Sequence, residues 1–157
     1  MLEIERKFAV KCTDFLVNAK ESYKITQGYL NTDKNRTVRI RTKGSKGFIT
    51  VKGISSTDGV SRFEWEKEIS TEDAEALLKL CEDFAIEKTR YIIPYETVIY
   101  EVDVFEGCNL GLVIAEVELE TVTQQFEKPE WLGNELTGDE RFYNAYLSNH
   151  PFKNWTI

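Results

Sequence analysis

Apolar and polar residues alternate with a period of two along much of this chain, as expected of strands with one dry face. In residues 2–10, Leu2, Ile4, Phe8 and Val10 fall on one side, and Glu3, Glu5 and Lys7 on the other. The same alternation predicts strands at 24–31, 36–43, 48–53, 61–69, 86–93, 97–105 and 112–120. Turn-forming residues separate many of them, at 31–35, 44–47, 55–59 and 94–96. From residue 71 to about 83 the period becomes helical. Ser70 stands three residues before Asp73 as a cap, and Ala74, Leu77, Leu78, Cys81 and Phe84 form an apolar stripe. Shorter helices are expected at 14–20, capped by Thr13 or Asp14, at 121–127 and at 139–147. The last part, with Pro129, Gly133, Gly138 and Pro151, otherwise reads as loops. No repeat or linker interrupts the pattern, so one domain over 1–157 is expected, of α+β class dominated by antiparallel strands.

The polar phase of these strands is dense in both signs of charge. It carries Glu3, Glu5 and Lys7; Arg39, Arg41 and Lys43; Lys52; Arg62, Glu64, Glu66 and Glu68. Further along come Lys88 and Arg90, Glu101 and Asp103, then Glu116, Glu118 and Glu120. At a spacing of two, each set projects from one side of its sheet. A solvated outer face is the plain explanation, and edge protection by lysines is another. Eight antiparallel strands also suffice to close a barrel, with the charged phase lining its cavity. There the basic groups would hold phosphate oxygens, and the carboxylates would hold Mg²⁺ or Mn²⁺. Alternation alone does not choose between inside and outside.

Composition narrows the choice of partner. Of 157 residues, 20 are Lys or Arg and 27 Asp or Glu, giving a net charge of −7. That balance argues against a general nucleic-acid or anionic-membrane binder while leaving room for one basic pocket. No apolar run approaches the ~20 residues of a membrane span, and residues 1–10 do not read as a signal peptide. Cys12, Cys81 and Cys108 lack metal-site spacing, so a reducing cytoplasm is expected. The single histidine, His150, lies in a turn-like Ser148-Asn149-His150-Pro151 and reads as a surface residue. The working groups of an enzyme would then be carboxylates, lysines, arginines and a hard metal ion.

Glu3-Ile4-Glu5-Arg6-Lys7-Phe8 resembles the ExExK signature of the CYTH family, the triphosphate tunnel metalloenzymes. Gln27-Gly28-Tyr29-Leu30, Val38-Arg39-Ile40-Arg41, Thr50-Val51-Lys52 and Ser61-Arg62-Phe63-Glu64-Trp65-Glu66 follow in the family's order. So do Glu87-Lys88-Thr89-Arg90-Tyr91, Glu101-Val102-Asp103-Val104-Phe105, Glu116-Val117-Glu118, Pro129-Glu130-Trp131-Leu132-Gly133 and Asp139-Glu140-Arg141-Phe142. The resemblance implies an eight-stranded antiparallel β tunnel with charges inward and helices packed outside. It implies triphosphate binding by Lys7, Arg39, Arg41, Lys52, Arg62, Lys88 and Arg90, and metal binding by Glu3, Glu5, Asp103, Glu116 and Glu118. Glu64 and Glu66, like Asp103, would be further metal ligands or orienters of metal-bound water. Lys7, set among opposite charges, is a candidate base with a depressed pKa. Glu101 and Glu120 sit nearer strand ends and are less secure members of the acidic set.

Tyr29 is open between the tunnel mouth and packing, and Arg141 between phosphate binding and a salt bridge. Trp65 and Trp131 are assigned to the core, and Lys43, Lys67 and Glu68 to exposed or structural positions. The implied activity is metal-dependent hydrolysis of a triphosphate, with tripolyphosphate the first choice. The alternatives are a class IV adenylate cyclase, a thiamine triphosphatase or a non-catalytic polyphosphate or nucleotide sensor. The partner is a small triphosphate rather than nucleic acid or membrane, and an exposed edge or helix face could support a homodimer.

Overall fold

The computed structural model describes residues 1–31 and 33–156, so Thr32, inside the turn expected at 31–35, lies outside the described residues. The strands are β1 (Leu2–Val10), β2 (Glu21–Asn31), β3 (Arg36–Lys43), β4 (Lys46–Ser55) and β5 (Ser61–Ile69), then β6 (Glu82–Tyr95), β7 (Val98–Phe105), β8 (Val113–Glu118) and β9 (Leu132–Glu135). Two short helices, α1 (Thr71–Leu78) and α2 (Asn144–Leu147), complete the regular elements beside several 3-10 turns. The strands run in the order β5-β4-β3-β2-β6-β7-β8-β1-β9, and β5 pairs again with β1. Eight strands thus close into an antiparallel barrel, which removes all but local edges.

Closure depends on how β1 divides its two edges. One edge runs along β8, with Lys7 opposite Glu116 and Glu5 opposite Glu118. The other meets β5 near its start, with Glu3 opposite Arg62, and β9 further on, with Phe8 opposite Glu135.

The apolar phase faces outward. Ile4, Phe8, Tyr100, Val102, Ala115 and Val117 are buried in one cluster over β1, β7 and β8. Each Ile, Val or Phe among them contributes about 1.5–3 kcal/mol when fully buried. Phe15 and Trp131 stack over this cluster with ring centroids 3.9 Å apart. On the opposite side α1 lies over β2, β3 and β4. Two glycines let it approach: a Cβ on Gly28 would stand 2.8 Å from Cys81 Cβ, and one on Gly47 2.7 Å from Ala74 Cβ. Ile86, Phe105 and Ile114 share the inward phase of the charged residues. They join Leu112 and Leu147 in a second apolar cluster, against which Phe142, Phe152 and Trp155 pack.

Several expectations are corrected. The helix expected to reach about residue 83 ends at Leu78, because Glu82 already pairs with Tyr29 in the sheet. Leu80 and Cys81 close the turn with N–H bonds to Leu77 and Leu78 carbonyls. Residues 121–127 form bends and a turn rather than a helix. Tyr100 Oη donates to the Glu127 carbonyl at 2.6 Å, and Phe126 packs edge-on against Phe8 and Tyr100. Trp65 is exposed, at 46% of its surface, since α1 stops one strand short of it. The short β9 was not anticipated. Among the described residues, no helix is long and apolar enough to cross a membrane.

Candidate active site in the barrel lumen

The inward phase of the strands encloses a cavity of about 570 Å³. Glu3, Glu5 and Lys7 line it from β1, Arg39 and Arg41 from β3, Lys52 from β4, and Arg62, Glu64 and Glu66 from β5. Lys88 and Arg90 from β6, Glu101 from β7, and Glu116 and Glu118 from β8 complete the ring. The register explains the grouping, because Lys52 stands opposite Glu64 and Thr50 opposite Glu66. Likewise Arg90 stands opposite Asp103, and Glu101 opposite Glu116. Asp103 differs from the other predicted site residues. It shares the inward phase but is fully buried and does not border the cavity, with Oδ1 accepting from Arg90 Nε at 2.7 Å and Oδ2 from Arg90 Nη2 at 2.8 Å. Lys88 Nζ also stands 2.7 Å from Oδ2.

The remaining cations hold partners of mixed closeness. Lys7 Nζ stands 3.3 Å from Glu116 and 3.6 Å from Glu5. Lys52 donates to Glu3 at 2.7 Å and lies 3.6 Å from Glu64. Arg39 and Arg41 both reach one oxygen, Glu66 Oε2, at 3.3 Å, and Thr50 Oγ1 donates to the same oxygen at 2.7 Å. The Nε atoms of Arg39 and Arg41 are buried without an acceptor among the described residues. Arg62 donates to the Gly53 carbonyl at 2.7 Å and 3.0 Å, holding the irregular stretch where β4 shifts register against β5.

The charges are unevenly compensated. Burial, with Arg39 and Arg90 nearby, pushes the Arg41 guanidinium down to about 10. Burial likewise brings Lys88 down to about 8, against the pull of Asp103. Burial and the negative charge of Glu116 push Glu5 up to about 7. Burial also raises Glu3 and Glu118. Glu116 goes the other way: burial opposes its charge, but Lys7, Arg90 and Lys88 hold it well below the usual carboxylate range. For Lys7 too burial is outweighed, by Glu116 and Glu5, so its pKa is raised. The depressed pKa expected of Lys7 is therefore corrected, since opposite charges stabilise an ammonium.

Carboxylates on β1 and β8 offer hard oxygen donors suited to Mg²⁺ or Mn²⁺. Among the described residues no three acids, thiols or imidazoles form a ready-made metal cage. Burial raises the pKa values of Glu3, Glu5 and Glu118, with neighbouring acids adding to it, and a bound divalent cation would offset both.

The chain's irregular C-terminal part supplies what the strand pattern missed. Thr137, Tyr143, Asn144, Tyr146 and His150 all border the cavity, and His150 stacks on Tyr146 at 4.1 Å. Asn144 Oδ1 accepts from Lys88 Nζ at 3.0 Å. No sequence period announces these contacts. Lys43, expected away from the site, borders the cavity as well. Tyr29 is buried yet borders the cavity, its hydroxyl accepting from Gln27 Nε2 at 3.1 Å. Arg141 lies outside the cavity lining and pairs with Asp139 at 2.6 Å. Glu120 is exposed, as are Lys67 and Glu68.

A family model described as the CYTH domain matches residues 1–143. A protein from Acetivibrio thermocellus named inorganic triphosphatase is 46% identical over 154 residues, covering 98% of this chain and 97% of its own length. A protein of the same name from Nitrosomonas europaea is 37% identical over 153 residues, covering 94% of this chain and 97% of its own. The crystal structure of the inorganic triphosphatase NE1496 superposes with a TM-score of 0.65 at 34% identity, covering 93% of both chains. Its charged barrel, its ordered motifs and these similarities together make this chain a member of the CYTH domain family.

Proposed function

We propose that this chain hydrolyses inorganic tripolyphosphate to pyrophosphate and phosphate in its lumen, using Mg²⁺ or Mn²⁺. One observation carries the reading. Buried cations with open N–H donors, on Arg39 and Arg41, share a cavity with carboxylates whose ionisation is suppressed. A compact polyanion and a hard divalent cation relieve both imbalances together. Both relatives are named inorganic triphosphatase, which agrees with this substrate.

Phosphoryl transfer asks mainly for positioning and charge neutralisation. Arg39 and Arg41 would offer their open Nε–H groups to phosphate oxygens, while Lys7, Lys52, Lys88 and Arg90 bring further positive charge. Arg62 adds charge beside them while its guanidinium braces Gly53. Glu3, Glu5, Glu116 and Glu118 would hold the cation, which when bound polarises phosphate oxygens and acidifies water. Glu64 and Glu66 would orient the attacking water from β5. Asp103, with both oxygens engaged, is reassigned from metal ligand to anchor of Lys88 and Arg90. Lys7 stays charged and serves in binding, whereas Lys88, at about 8, is the lumen amine closest to exchanging a proton near neutrality. The free Cys12, Cys81 and Cys108 suit the reducing cytoplasm proposed as its location.

The test is phosphate release from tripolyphosphate, ATP and thiamine triphosphate with each metal, with Glu5→Gln and Lys7→Ala as controls. Metal-dependent release from tripolyphosphate, lowered at least a hundredfold in both variants, is expected. Cyclic AMP from ATP without phosphate release would replace the reading with a cyclase. Triphosphate binding without turnover would replace it with a sensor.

A further inference from the structure

The C-terminal strap over residues 136–148 joins the two buried lysines of the lumen. At its start, Leu136 N–H donates to the Lys7 carbonyl at 2.8 Å, and Thr137 Oγ1 accepts from Lys7 N–H at 2.9 Å. At its end, the Ser148 carbonyl accepts from Phe84 N–H at 3.0 Å, and Leu147 is fully buried in the second apolar cluster. Between these anchors Asn144 Oδ1 receives a hydrogen bond from Lys88 Nζ at 3.0 Å. Lys88 is 2% exposed, so its ammonium has little water to complete its bonding.

An ammonium carries three donors in fixed tetrahedral directions. Asp103 takes one from β7 at 2.7 Å, and Asn144 takes another from α2. Two partners on separate elements fix the rotation of the amine and leave the third N–H for the cavity that Lys88 borders. With Asp103 alone, the amine could turn about a single bond, and Asp103 is already committed to both ends of the Arg90 fork. The carboxamide is also neutral, so it adds direction without placing another negative charge beside a phosphate.

We propose that Asn144 is a positioning residue for Lys88, aiming the free N–H of its ammonium at a phosphate oxygen of the substrate. This rests on Lys88 being a substrate-binding group, as in the proposed function. The strap thereby completes the site from outside the barrel strands.

The experiment compares the full chain with Asn144→Leu, Lys88→Met and the double variant, measuring kcat and KM for tripolyphosphate with Mg²⁺. Asn144→Leu should lower kcat/KM about tenfold or more, the scale of a hydrogen bond to a charged group. In the Lys88→Met background the same change should cost nothing further, because residues acting through one another are not additive. Losses that multiply independently, or an unchanged kcat/KM in Asn144→Leu, would overturn the proposal and leave the strap a general support of the tunnel. If Asn144→Leu fails to fold, Asn144→Ser, which shortens the side chain out of reach, is judged by the same outcomes. Wild-type turnover in Lys88→Met would instead overturn the assignment of Lys88, a failure visible in that variant alone.

Discussion

Two walls of one barrel carry the same kinds of charge and use them differently. On β6, β7 and β8, Arg90 and Asp103 meet through two short bonds, Lys88 closes on the same carboxylate, and Glu101 takes Arg90 Nη1 at 2.8 Å. That wall largely satisfies itself, leaving one Lys88 N–H for the cavity. On β3, β4 and β5, Arg39, Arg41 and Thr50 crowd one oxygen of Glu66, and both arginines keep a buried Nε without an acceptor. That wall is incomplete without an anion. A buried charge with every donor met serves as framework, and one with donors unmet is held ready for a ligand.

The largest expected effect breaks the first wall. Asp103→Ala leaves both Lys88 and Arg90 buried without their main counter-charge, and should cost about 3–5 kcal/mol of stability. A denaturant titration checks this, and a midpoint near that of the unaltered chain would mean the wall is not the framework described. Next in size is Arg41→Ala on the second wall. Burial and neighbouring cations already work against the Arg41 charge, so its removal should change stability by less than about 1 kcal/mol. Turnover of tripolyphosphate should nevertheless fall about a hundredfold or more. Equal destabilisation by the two substitutions would erase the difference between the walls.

The walls differ less in the sequence than in the structure. The i, i+2 spacing of Glu3, Glu5 and Lys7, or of Arg39 and Arg41, placed these residues on one face of a strand, and barrel closure turned that face inward. What spacing could not reveal was pairing across strands, which decides that Asp103 sits behind Arg90 while Arg41 is left short of acceptors. The short β9, Leu132–Glu135, has too few residues for a period and forms because β1 offers it an edge beyond β5. Trp65 belongs to the outward phase of β5, and only the reach of α1 determines that it stays uncovered. Asn144 and Thr137 touch Lys88 and Lys7 from more than 50 residues away, a distance over which alternation carries no information.

The smallest effect concerns the seam between the walls, where β1 meets β8. Glu5 is raised from its ordinary 4.5 to about 7 by burial and by Glu116. Between those values the folded chain keeps a proton that the unfolded chain has released, so stability without metal should fall as pH rises through this window. A divalent cation competes with that same proton. Its affinity should therefore rise with pH, by about tenfold between pH 6 and pH 8, and level off once Glu5 is ionised. Titrating Mn²⁺ into the chain without substrate at several pH values reads this directly, and Glu5→Gln should flatten the curve. A wild-type affinity that did not change over this range would mean that Glu5 gives up no proton to the metal. The seam would then belong with the self-satisfied wall rather than with the one awaiting a ligand.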